Sequence, residues 1–354
     1  MRFRVIRVAC NARGILKTMN ARIAFAVIPC LALLLACSES KPASAAASPV
    51  AAPAAGSTAT QQPAAAPPAQ PQTPAGPARP AMRFNAERTM QYTREIVAFG
   101  PRYNGTAALE KVRQYLLAHL KGDQVEQDSF TADTPAGKQH MVNIIAKFPG
   151  SKDGIIVVAS HYETNYWLRN IHFVGANDGA CTSAMLLELA NQLRGRKLEG
   201  YSVWLVWDDG EESVSGQWSD ADSLYGTKHL AAKWQQDGTI KKIKGLFIAD
   251  MLGGSDLHVL RDTNSTPWLE DLVYQAASDL GYQSHFFQES GAEEDDHLPF
   301  ARMGVPVSDL ISVPFGYNDA YHHTVEDTLD KLSTRSLQIS GETVTEAIRL
   351  LNQR

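Results

Sequence analysis

The chain is poor in cysteine, in net positive charge and in long apolar runs. Its 354 residues hold four cysteines, and Cys10, Cys30 and Cys37 all fall within the first 37 positions. Cys181 then stands alone, which excludes a disulfide framework for the remainder. Lys and Arg number 33 against 38 Asp and Glu, a net charge of −5. A nucleic-acid binder would show a basic face, so no nucleic-acid partner is expected. The most apolar run, Ile23 to Ala36 (IAFAVIPCLALLLA), is shorter than the roughly 20 residues a spanning helix needs. There is no internal repeat. The hydrophobic fraction of 44% is ordinary for a chain that buries a core.

The short apolar run reads as an address. It follows Arg22 and ends in Leu34-Leu35-Ala36-Cys37. A basic start, an apolar centre and small residues before a cut site make a secretory signal, here residues 1–36, with Met19 an alternative start. Its last four residues resemble a bacterial lipobox, which implies cleavage before Cys37 and lipid on that cysteine. A plain signal peptide with an incidental Cys37 is the blander reading. The lipobox implies a bacterial cell-envelope protein, lipid-anchored on the periplasmic side. Ser38, rather than Asp, points to the outer membrane. Residues 37–82 are almost all Ala, Pro, Ser, Gln and Thr. Such a segment buries too little apolar surface to order itself, and its prolines keep it extended. It is expected to be a disordered linker.

Residues 83–354 are expected to form one α/β domain with a mixed, largely parallel central sheet flanked by helices. Helices are predicted over Ala86–Ala98, Ala107–Leu120, Thr182–Leu193, Leu224–Trp234, Thr266–Leu280 and Ser336–Leu351. Strands are predicted over Asn143–Lys147, Gly154–Ala159, Ser202–Trp207, Gly245–Ala249 and Val305–Ile311. The runs IIVVA and VWLVW are apolar without alternation, as in strands covered on both faces. Strands alternating with helices imply parallel pairing.

In open α/β sheets, ligands bind beyond the carboxyl ends of the strands. Polar residues gather there in this sequence. Ser160-His161-Tyr162-Glu163 follow IIVVA, Asp208-Asp209-Gly210-Glu211-Glu212 follow VWLVW, Asp250 follows LFIA, and His322-His323 follow the last strand and a loop. A catalytic zinc takes His nitrogen and carboxylate oxygen and keeps one position open. Asp178, Glu212 and His323 supply such a set. Taken singly, each has an ordinary reading: Asp178 as the N-cap of a helix from about Gly179, Glu211-Glu212 as a solvated loop, His323 as a surface histidine. The Glu pair directly follows a buried strand, where one Glu can bind metal while its neighbour moves protons.

The segments SHYETNYW, FVGANDGACTSAMLLELA, DDGEES, WSDADSLYGTKHLAAKW, EEDDHLPFARMGVPV and HHTVEDTLDKL resemble glutaminyl-peptide cyclotransferases, relatives of the M28-class zinc aminopeptidases. The likeness runs from about Phe99 to the end. It implies one zinc per chain on Asp178, Glu212 and His323, with Glu211 as acid/base and Asp250 and Asp295 in its proton network. It implies that Trp218 walls the substrate pocket, with His322 beside it, and that peptides or proteins with an N-terminal Gln are the substrates. The reaction would be an acyl transfer that forms pyroglutamate and releases ammonia. Three positions depart from the animal-type pattern: His322 replaces a Trp, Ser160 replaces a disulfide-forming Cys, and Glu163 replaces an Asp. The alternative is a two-zinc aminopeptidase, with His161 and Asp250 holding a second metal that Asp178 bridges.

Overall fold

The computed structural model describes residues 84–354. The expected signal segment, Cys37 and the linker lie outside the described residues. Two helices come first, α1 (Ala86–Val97) and α2 (Ala107–His119). Each starts on a side-chain cap: Asn85 accepts the N–H of Arg88, and Thr106 accepts that of Leu109. Such caps satisfy donors that the first helical turn leaves free.

Strands β1 (Gln124–Thr134), β2 (Gly137–Phe148), β3 (Gly150–His161), β4 (Leu198–Asp208), β5 (Ile243–Asp250) and β8 (Val307–Ile311) form one sheet in the order β1-β2-β4-β3-β5-β8. β3 pairs in parallel with β4 and β5, and β5 in parallel with β8. β1–β2 and β2–β4 are antiparallel. The sheet is therefore mixed, with its centre parallel, and the chain is a single α/β domain. β6 (Val259–Asp262) and β7 (Phe286–Gly291) make a separate two-stranded parallel sheet that the sequence pattern did not predict.

The unbroken apolar run of β3 serves two cores at once. Ile156 and Val158 enter one, packed with α3 (Thr182–Leu193), α5 (Pro267–Asp279) and α7 (Thr334–Leu351). Ile155, Val157 and Ala159 enter the other, with Leu230 and Trp234 of α4 (Tyr225–Gln236) and Phe300 of the short α6 (Leu298–Ala301). Successive strand side chains face opposite sides, so a strand covered twice must be apolar throughout. Each such aliphatic side chain contributes about 1.5–3 kcal/mol by burial. Every residue of α3 except Asn191 is buried. Its one buried acid, Glu188, takes a two-pronged pair from Arg88 of α1 at 2.6 and 2.9 Å. Among the described residues, no helix is long and apolar enough to cross a membrane.

Candidate metal centre

The parallel centre of the sheet delivers the polar residues to one edge. β3 ends at His161, β4 at Asp208 and β5 at Asp250. Asp178 sits in a single π-helical turn, Ala176–Cys181, before α3. It does not cap that helix as the sequence suggested. α3 begins at Thr182, no side chain caps it, and Asp178 leaves helical geometry (φ −81°, ψ 97°). The turn instead points the carboxylate across to two imidazoles. Gly179 makes this possible: at φ +85°, a Cβ there would lie 2.8 Å from the His161 ring.

Nε2 of His323 lies 3.3 Å from Oδ2 of Asp178 and 3.2 Å from Oε1 of Glu212. The other oxygen of Asp178, Oδ1, lies 3.1 Å from Nε2 of His161, which is 3.3 Å from Oδ1 of Asp250. Asp178 thus stands between two clusters, Asp178–Glu212–His323 and His161–Asp178–Asp250. Its Oδ2 is buried and accepts no hydrogen bond. Carboxylate oxygens of Asp178 and Glu212 gathered about one imidazole nitrogen fit the donor chemistry of zinc, and ligand atoms of Asp178, His322 and His323 also lie within 4.8 Å of one another. Burial opposes charge on His323, yet Glu212 and Asp178 push its imidazole up to about 11. The lone pair that holds this proton is the one a metal would take. His323 also adopts a left-handed backbone, φ 54°, and the pocket residue Met251 does so at φ 49°. Such strain persists where surrounding contacts over-determine the residue.

Beside this centre opens a cavity of about 340 Å³. Glu211, Trp218, Asp250, Asp295, His322 and the three proposed ligands all line it. His161 does not; it lies buried behind Asp178 and Asp250. Burial and the adjacent Glu212 push the Glu211 carboxyl well above its ordinary range. His322 packs against His323 with ring centroids 3.9 Å apart and planes tilted by 42°, and faces Oδ2 of Asp319 at 3.1 Å. Ser160 is buried and bonds Thr182 Oγ1 at 2.9 Å.

The model of peptidase family M28 matches residues 143–348, a span that includes every residue of this centre. The chain belongs to peptidase family M28. A glutaminyl-peptide cyclotransferase of Drosophila melanogaster is 33% identical over 269 residues, covering 68% of this chain and 75% of that protein. The crystal structure of an Acidobacteriales bacterium glutaminyl cyclase is 52% identical with a TM-score of 0.77, covering 80% of this chain and 99% of that one. A Porphyromonas gingivalis glutaminyl cyclase is 28% identical with a TM-score of 0.69, covering 76% and 98%. These M28 homologues and neighbours support an enzyme of the cyclotransferase type.

The M28 centre also depends on residues the sequence did not single out. Glu163 figures in it only as part of a strand-end segment and as a departure from the animal-type pattern, without a role. Its Oε1 accepts the backbone N–H of Glu211 at 2.7 Å and of Glu212 at 3.3 Å, and so aims both acids. Asp327 accepts the N–H of Asn177 at 2.8 Å and of Asp178 at 3.1 Å. Burial and Asp178 push Asp327 up to about 7. Asn165 lies 3.1 Å from Nε2 of His323. Arg102, fully buried, donates to the carbonyls of Tyr162, Val174, Gly175 and Asp178. The block HTVEDTLDKL contained Asp327, but nothing in the sequence around Arg102 announced its role.

Proposed function

We propose that the chain cyclises the N-terminal Gln of peptides and proteins to pyroglutamate, with release of ammonia. The observation that carries this reading is the pairing of a compact ligand triad, Asp178, Glu212 and His323, with a separate buried acid, Glu211, on the same cavity wall as Trp218. The 52% identity to a glutaminyl cyclase supports the same choice. Zinc held by the triad would polarise the γ-carbonyl of the substrate Gln.

The residues of the chain supply the rest. Cyclisation forms a bond from the α-amine nitrogen to the γ-carbon and breaks the bond to the side-chain amide nitrogen. Both partners sit on one residue, so the pocket need only hold a reactive conformer. Glu211 accepts a proton from the attacking amine and delivers it to the departing nitrogen. A carboxyl with a raised pKa suits both halves of that transfer. Asp250 and Asp295 border the same cavity and accept hydrogen bonds from the amine or the leaving ammonia. Trp218 packs on the methylene stem of Gln and keeps water out.

His161, Asp178 and Asp250 give a second reading a definite basis, because their ligand atoms lie within 4.8 Å of one another. A second metal there would make the site that of an aminopeptidase. One experiment decides. The zinc-loaded chain is incubated with a Gln-initiated and a Leu-initiated peptide, and its metal content is measured. Ring closure with ammonia release, an intact Leu peptide and one zinc per chain is the expected result. Cleavage of the Leu peptide with two zincs would replace this reading. We further propose that Cys37 carries the lipid anchor, placing the enzyme on the periplasmic side of a bacterial envelope; Cys37→Ser should then shift the protein from the membrane to the soluble fraction.

A further inference from the structure

Two acids of the cavity have no part in the proposed reaction. Half of the residues that line it are Asp or Glu, and His322 and His323 are the only lining side chains able to carry positive charge. Asp178 and Glu212 face the metal position, while Glu211, Asp250 and Asp295 serve the proton transfer. Glu293 and Glu294 remain. Neither side chain forms an ion pair or a hydrogen bond among the described residues. His322 already faces Asp319 at 3.1 Å, so the rim of the cavity carries two carboxylates with no cation committed to them.

The backbone makes these acids part of a fixed wall. Shortly after β7, the N–H of Glu293 donates to Oδ1 of Asp262 at 3.0 Å, and the Glu293 carbonyl accepts from Nδ2 of Asn264 at 2.8 Å. The next residues grade in depth: Asp295 is buried with Oδ2 bare, Glu293 is half-buried and Glu294 is exposed. The side chain of a bound Gln must reach the buried Asp178, Glu212 and His323. Its carbonyl end then points the other way, towards the mouth, and the next residue of the peptide leaves past Glu293 and Glu294. At about 340 Å³ the cavity is at the small end for a ligand site, so that residue meets the rim at once. Every substrate brings one positive charge, its α-amine, which the inner acids meet. The acids at the mouth gain a partner only if the next side chain supplies it.

We propose that Glu293 and Glu294 are specificity residues, which select peptides carrying Lys or Arg directly after the N-terminal Gln. The aliphatic stem of either side chain packs along the wall while its charged head stays in water beside the carboxylates. An Asp or Glu at the same place meets like charge. This rests on the reading that the pocket cyclises Gln. An exposed ion pair is worth up to about fivefold in an equilibrium constant. Two such acids favour Lys over Ala by about 5–25-fold at low salt, and they disfavour Glu further.

The test uses the full zinc-loaded chain and three peptides that differ only in the second residue: Gln-Lys, Gln-Ala and Gln-Glu. The order in kcat/KM should be Lys, Ala, Glu, with Lys ahead of Ala by about 5–25-fold at low salt. The difference should lie in KM, because the second side chain takes no part in the bonds made and broken. Raising the salt to about 0.5 M should shrink it to about twofold, since exposed charges are screened at that strength. The double variant Glu293→Gln, Glu294→Gln should bring the Lys-to-Ala ratio to within about twofold of one at any salt. A parent that treats the three peptides alike would overturn the proposal. So would a preference for Lys that survives in the double variant, or one that sits in kcat and ignores salt. Failure of the parent to cyclise any of the three refutes the function instead. Calorimetric binding of the same peptides to Glu211→Gln, with and without the double substitution, then still decides the charge preference by the same ratios.

Discussion

Arg102→Met is the sharpest test of how the fold holds the metal centre. The side chain is 0% exposed, and its guanidinium donates to four carbonyls. Three of them, on Val174, Gly175 and Asp178, belong to the loop that presents Asp178. A buried carbonyl left without its donor costs about 1–3 kcal/mol, so four set an upper bound of about 12. Two effects reduce it. Water can enter the vacated space, and the guanidinium is itself costly to bury, since burial pulls it down to about 10. Breaking a buried charged network usually nets about 3–5 kcal/mol, a large part of the 5–15 kcal/mol typical of a folded domain. If about 2 kcal/mol of that falls on the Asp178 loop, zinc affinity drops about 30-fold. Urea unfolding with chelator present measures the first quantity, and competition with a chromophoric chelator measures the second. Arg102→Lys keeps charge but loses the fork, so it should resemble Met more than Arg. A Met variant within about 1 kcal/mol of the parent, with unchanged zinc affinity, would refute the reasoning.

Other perturbations separate the roles within the site. Glu211→Gln should lower kcat by about 10²–10⁴ with zinc content unchanged, because Glu211 lies outside the ligand triad; steady-state assay and metal analysis check both halves. His323→Ala removes one donor of three and should leave less than about a tenth of the parent's zinc after dialysis, since catalytic zinc rests on three protein ligands. Glu270→Gln tests a pH effect away from the site. Burial pushes this carboxyl from 4.5 up to about 7, despite Arg261 at 3.3 Å. The unfolded chain releases this proton first, so the contribution to stability is full below pH 4.5 and is lost as pH rises through about 7. The Gln variant should therefore match the parent in melting temperature near pH 4.5 and exceed it at pH 8; a lower value at pH 8 would contradict this.

The elements legible in the sequence were those whose apolar pattern meets a core on both sides. β3 and β4 announced themselves because each feeds two layers. β1 did not, since only Asp128 and Ala132 along it are buried, and an edge strand with one half-solvated face shows little apolar period. β7 shows little pattern for the same reason, with Phe286 alone of its six residues buried, and β6 is only four residues long. The site was legible where chemistry sits at strand ends, which is why His161, Glu211, Glu212 and Asp250 stood out. The helix-cap reading of Asp178 failed because Gly175 and Gly179 open a turn that local propensity does not encode. Arg102 and Asp327 were silent because they act on backbone groups, whose identity leaves no trace in sequence.

The way each buried acid is neutralised explains where a cation belongs. Asp209 is held by Arg113, the Tyr162 hydroxyl at 3.1 Å and the N–H of Val142 at 2.8 Å. Glu163 is held by two backbone N–H groups, and Glu188 by Arg88. The carboxylates of Asp178 and Glu212 form no direct ion pair with Lys or Arg among the described residues; imidazoles approach them, and the buried Arg102 acts on Asp178 from farther off. A buried charge without a partner is among the most expensive features a fold can keep. The fold nevertheless places these two acids together and fixes their backbones with Asp327 and Glu163. His161 and His323, both favoured in their protonated form by these acids, offset part of their repulsion, and a metal ion would take the place of those protons. A metal bound at this point would add to folding stability, so adding zinc to the metal-stripped chain should raise its unfolding temperature, with hydrogen exchange slowed most in the segment from Gly175 to Cys181 and the loop bearing His323.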